Sequence, residues 1–81
     1  MLKLTKFNDP GHGWLRVPLK IIRKMQANGL VLSGYSYQSK RYAYLEEDCD
    51  ISPVLERIEH FEIRSVHTNR QSKIRLLEGL T

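Results

Sequence analysis

The 81-residue chain is poor in cysteine, with Cys49 alone. A single thiol excludes an intrachain disulfide, which a small secreted domain normally needs, and it excludes a cysteine-based zinc site. Long apolar runs are missing too. The opening residues 1–7 have no hydrophobic core of a leader peptide, and no stretch approaches the roughly 20 residues of a membrane span. Catalytic spacings are equally scarce. There is no Gly-x-Ser-x-Gly elbow, no His-Glu-x-x-His pair and no calcium loop, and Gly11-His12-Gly13 lacks the length and lysine of a phosphate loop. Internal repeats, low-complexity tracts and linkers are absent. These absences predict one domain over residues 1–81, in the cytoplasm, that is not an enzyme and carries no cofactor or metal.

A chain this short buries only a thin core, so a groove or flat face is the expected functional surface, and homodimerisation would add buried area. The net charge of +4 mildly favours an anionic partner. Its distribution is more telling. Glu46-Glu47-Asp48-Cys49-Asp50 is an acidic knot, whereas Arg64, Arg70, Lys73 and Arg75 follow one another with no acid among residues 64–75.

Periodicity sets out the elements. Residues 2–7 and 14–17 read as strands, joined by the turn-rich Asn8-Asp9-Pro10-Gly11-His12-Gly13. Pro18 to Asn28 reads as a helix with Leu19, Ile22 and Met25 on one face, stopped at Asn28-Gly29. Residues 30–47 read as a β-hairpin. With its turn centred on Ser39-Lys40, Tyr37 faces Tyr42 and Tyr35 faces Tyr44, all on one side of the sheet. Ser52 and Pro53 begin a second helix that ends near His60, with Asp48 and Asp50 favoured beside its N-terminus. Phe61–Val66 alternates as a last strand, and Ser72 caps a short turn through Leu77 that Gly79 ends. The order ββαββαβ predicts a small α+β domain, an antiparallel or mixed sheet with both helices on one face.

Candidate site residues fall in four groups. His12 and Trp14 lie in or beside the glycine turn. Tyr35, Tyr37, Tyr42 and Tyr44 form either core under a helix or an exposed platform for stacking bases or gripping a protein. Glu46, Glu47 and Asp48 sit in the knot, expected at the same end of the sheet as the glycine turn. Arg70, Lys73 and Arg75 flank a loop-to-helix start whose free N–H groups suit an anion. Cys49, amid acids that raise its pKa, is a poor nucleophile.

Four blocks carry a resemblance: Gly11-His12-Gly13-Trp14-Leu15 with Val17, Tyr35-Ser36-Tyr37, Tyr44 through Asp50, and Thr68-Asn69-Arg70 with Ser72-Lys73-Ile74-Arg75. Over residues 8–77 the chain resembles a family of small uncharacterised bacteriophage and plasmid proteins. The resemblance implies a mobile-element accessory protein in a bacterial cytoplasm, and carries over no reaction, ligand or catalytic residue. The expected function is binding of a host protein, in the manner of an anti-CRISPR or other anti-defence inhibitor that occludes a surface. The alternative is a nucleic-acid or nucleotide module using Lys20, Arg23, Lys24, Arg70, Lys73 and Arg75 with the tyrosine face.

Overall fold

The computed structural model describes residues 1–80. Strand β1 (Leu2–Asn8) turns through residues 9–12 into β2 (Gly13–Pro18), which runs directly into helix α1 (Leu19–Ala27). The two-residue strand β3 (Tyr37–Gln38) pairs with β4 (Tyr42–Glu46), then come the short helix α2 (Ile51–Leu55), β5 (Phe61–His67), a 3₁₀ turn (Lys73–Leu76) and the two-residue β6 (Glu78–Gly79). They form one mixed sheet of order β5-β1-β2-β4-β3-β6. The β1–β5 pair is parallel and the others are antiparallel. The expected α+β class holds, with one strand more than the sequence suggested.

The pleat divides the sheet into two faces. Leu4, Leu15, Val17, Ala43 and Leu45 project to one side, where Ile22 of α1, Val54 of α2, Leu30 and Leu80 complete the buried core. Both helices therefore cover the same face, as expected. The other face has no helix. It carries Phe7, Trp14, Arg16, Tyr42, Tyr44 and Glu46, which the register places side by side, and Tyr37 opposite Tyr44.

Helix α1 follows its signals: it begins after Pro18, and its C-terminal chain reversal uses Gly29 at φ +100°, a backbone state that glycine adopts without a Cβ penalty. The hairpin differs from expectation. Its turn is closed by Ser39 N donating to Tyr42 O at 2.9 Å, so the centre is Lys40-Arg41. Tyr37 pairs with Tyr44, not Tyr42. Tyr35 lies outside the strand and is exposed, because residues 30–36 make no ladder. A slip of two residues keeps the face while changing every partner, which is why alternation alone misplaced the pairing.

The second helix is shorter than expected, and its N-cap is Asp50 and not Ser52. Asp50 does not cap with its side chain. It is 1% exposed and accepts hydrogen bonds from Ser33 N (2.8 Å), Ser33 Oγ (2.7 Å) and Ser36 Oγ, fixing the irregular residues 33–36 against α2. Ser72 does cap the 3₁₀ turn, accepting from Ile74 N.

Candidate functional site

The loop between β1 and β2 is organised by Asp9. Its Oδ1 accepts from the backbone N–H of Gly11 (3.0 Å) and His12 (2.8 Å), an Asx turn that fits the Asp-Pro-Gly sequence. Its Oδ2 accepts from Ser72 N (2.9 Å) and Arg75 Nε (3.1 Å), while Arg75 Nη2 reaches Oδ1 at 3.2 Å. This arrangement holds the Asp9 carboxyl far below the usual carboxylate range, first through Arg75 and then through Ser72, against the opposing effect of burial. The chain's own Asp9 carboxylate thus meets the start of the Ser72 turn, where the sequence suggested a site for an external anion. Arg75 is committed to it, while Arg70 and Lys73 stay exposed.

From Asp9 the Arg75 guanidinium reaches over the Trp14 ring, 5.2 Å from its centroid. Trp14 is 2% exposed although it lies on the helix-free face, with the His12 ring 6.0 Å away and Tyr37 meeting it edge-on at 6.5 Å. Its indole Nε1 is buried without a hydrogen-bond partner.

The opposite wall comes from the acidic knot. β2–β4 pairing sets Glu46 beside Trp14, and Ser36 Oγ accepts from Glu46 N at 2.9 Å. The Glu46 carboxylate folds back on its own turn: Oε2 accepts from Asp48 N (3.0 Å) and Cys49 N (2.9 Å). Its Oε1 lies 3.9 Å from His12 Nδ1. Glu47 turns away to pair with Lys6 Nζ at 3.0 Å, and its backbone N–H donates to Gly13 O. A Cβ at Gly13 would lie 2.7 Å from both Asn8 Oδ1 and Glu47 Oε2, so glycine leaves room for this junction of turn and knot. The expected meeting of the two segments is therefore present.

Between the walls opens a cleft of about 300 Å³. His12, Trp14, Tyr35, Tyr37, Glu46 and Asp48 line it, joined by Cys49 and Arg75. The Cys49 thiol, on a residue largely open to solvent, is pushed up by desolvation, then by Glu46, Asp50 and Asp48. The upward direction is the one its acidic neighbours in sequence suggested, with desolvation the larger cause.

Tyr42 and Tyr44 lie outside the cleft, on the open sheet. There the Arg16 guanidinium stacks 4.7 Å from the Tyr42 ring centroid and 5.2 Å from that of Phe7, with Phe7 and Tyr44 at 6.3 Å. The four tyrosines therefore divide between two neighbouring surfaces. On α1, Lys20, Arg23 and Lys24 are exposed, and Arg23 is bonded to Gln26 and Gln38. Sequence reasoning missed Asp9, Arg16 and the Ser36–Asp50 pair. Asp9 carried a signal in its Asx-turn context; Arg16 and Ser36 carried none beyond their place in a strand pattern.

No family model, no curated protein and no solved structure matches the chain. Among the described residues no helix is long and apolar enough to cross a membrane.

Proposed function

We propose that this chain is a non-catalytic binding module that receives a protein partner in the cleft and on the tyrosine face beside it. The lining of the cleft carries this reading. Tyr35, Tyr37 and Arg75 gather around the buried Trp14 at one concave place, and tyrosine and arginine are among the residue types that dominate binding energy at protein interfaces. Glu46 and Asp48 at the same place favour a partner that offers a basic side chain to the aromatic walls. The resemblance read from the sequence supports a bacterial host protein as the partner, with occlusion of a defence component as the form of binding. Affinity capture from a bacterial host lysate tests it. A stoichiometric protein partner lost on Tyr35→Ala and Tyr37→Ala is expected; recovery of none rejects the proposal.

A second reading, a nucleic-acid module, draws on Arg16 stacked with Phe7 and Tyr42 on an uncovered sheet, an arrangement suited to base stacking. It predicts affinity for single strands that falls steeply with salt. Gel-shift titration at low salt with no complex at millimolar chain rejects this alternative.

A further inference from the structure

The cleft also holds a set of donors spaced for an ion. One atom each from His12, Glu46 and Asp48 lies within 4.8 Å of the others. The gap of 3.9 Å between His12 Nδ1 and Glu46 Oε1 is too long for a hydrogen bond. It matches what two metal–ligand bonds of about 2.1 Å each can bridge.

Glu46 supplies an independent observation. Its side chain is only 9% exposed, Oε2 accepts two backbone N–H groups, and Oε1 faces His12. A carboxylate this buried needs compensating charge. The nearest basic side chains do not provide it: Lys6 is paired with Glu47, and Arg75 with Asp9. Among the described residues no lysine or arginine comes within salt-bridge reach of Glu46 or Asp48. The backbones behind the donors are already fixed, His12 by Asp9 and Glu46 by Ser36. Ligand positions are thus set by bonds that do not involve an ion, as outer supports do in metal sites.

We infer that His12, Glu46 and Asp48 bind a divalent transition-metal ion. One imidazole with two carboxylates suits a first-row ion such as zinc or manganese better than calcium or magnesium, which prefer oxygen alone. Three protein ligands leave coordination positions open towards the cleft for water or a partner's donor. The sequence offered these ligand types in the glycine turn and the acidic knot but at no recognised metal-site spacing, and the β2–β4 pairing brings them together.

Calorimetric titration of tag-free protein with zinc chloride tests the inference without any partner, so its outcome is separate from that of the protein-binding reading. One ion per chain is expected, accompanied by a change in the fluorescence of Trp14, whose ring lies beside His12, and by a higher melting temperature. His12→Ala, which removes an exposed side chain, and Asp48→Asn should each weaken binding by about tenfold or more, with circular dichroism unchanged. His60→Ala and His67→Ala should bind as the parent does. Absence of saturable binding overturns the site, as does binding that survives His12→Ala or is lost in the His60 or His67 variants.

A different observation concerns the sheet edge. β5 pairs only with β1, and all seven of its residues are exposed, with Phe61, Ile63 and Val66 at 37, 37 and 38%. It has no proline, lysine or glycine, and its ladder to β1 is unbroken, so among the usual protections of an edge strand it keeps only the charges of Glu62 and Arg64. An antiparallel copy of β5 with Ile63 opposite Ile63 would set Glu62 against Arg64 twice, and Phe61 against Ser65 twice. Sliding each strand by one residue would instead oppose Arg64 to Arg64 or Glu62 to Glu62. We infer a two-fold dimer through β5 in the Ile63 register. Sedimentation velocity should show concentration-dependent dimerisation, weakened about tenfold by Glu62→Arg or Arg64→Glu alone and restored in the double exchange. A monomer at all concentrations, or a dimer indifferent to both single changes, overturns it.

Discussion

Asp50→Ala removes the acceptor that three donors share, Ser33 N, Ser33 Oγ and Ser36 Oγ, at a position 1% exposed. Hydrogen bonds to a charged group contribute about 1.5–3 kcal/mol each. The gross loss is reduced in two ways: the mutation also relieves a buried charge, and both hydroxyls can rotate towards other acceptors. A net destabilisation of about 3 kcal/mol follows. For a domain of this size, whose total stability is about 4–12 kcal/mol, that is a large fraction, and it corresponds to a melting temperature lower by about 12–24 °C. Asp50→Asn keeps an acceptor for Ser33 N and should cost about 1–2 kcal/mol. Urea unfolding followed by Trp14 fluorescence measures both. A loss below about 1 kcal/mol for Asp50→Ala would refute the reasoning, as would equal losses for alanine and asparagine. Because Ser36 Oγ both donates to Asp50 and accepts from Glu46 N, the alanine variant should also loosen the Glu46 wall of the cleft.

Other expectations are more local. The Asp9 carboxyl is depressed in the folded chain, so its stabilisation is complete above the ordinary value of 3.8 and is lost as pH falls through the depressed one. Melting temperature should therefore drop on acidification below pH 4 in the parent, and drop less in Asp9→Asn, which starts lower. Trp14→Phe should cost about 1–2 kcal/mol in denaturation followed by circular dichroism, less than a truncation to alanine at about 3–5, because it also deletes the unpartnered indole N–H. Glu46→Gln should speed alkylation of Cys49 at pH 8, since a charge that raises the thiol is gone; an unchanged rate contradicts that role. Gly29→Ala meets no neighbour within 4 Å, so the lower melting temperature it causes should reflect backbone strain of about 1–2 kcal/mol alone.

Local signals carried most of the fold. Pro18 and Asn28-Gly29 bounded α1 correctly, the alternation of β1 and β5 marked them as strands, and Ser72 announced its turn. What failed depended on partners distant in sequence. Period-two patterning places tyrosines on a face but is indifferent to a two-residue slip, so the hairpin register was open until Ser39 met Tyr42. Glu78-Gly79 is too short for any pattern, and it becomes a strand only because β3 offers an edge. At the site, the glycine turn and acidic knot were legible as neighbours, since both follow from strand order. That Arg75 answers Asp9 rather than an external anion was not, because nothing in a basic tail names its counter-charge.

The burial of Leu80, 1% exposed within the core and joined to Ser36 O through its backbone N–H, has a consequence for biosynthesis. The first strand waits for β5 as its parallel neighbour, and the apolar interior stays open on one side until residue 80 arrives. Folding during translation is therefore deferred: a nascent chain with residues 1–60 outside the ribosome has both helices and four strands, yet lacks the pieces that close its two sides. Such an intermediate exposes the edges of β1 and β3 together, and stalled or prematurely released chains should be the species that chaperones capture and proteases clear.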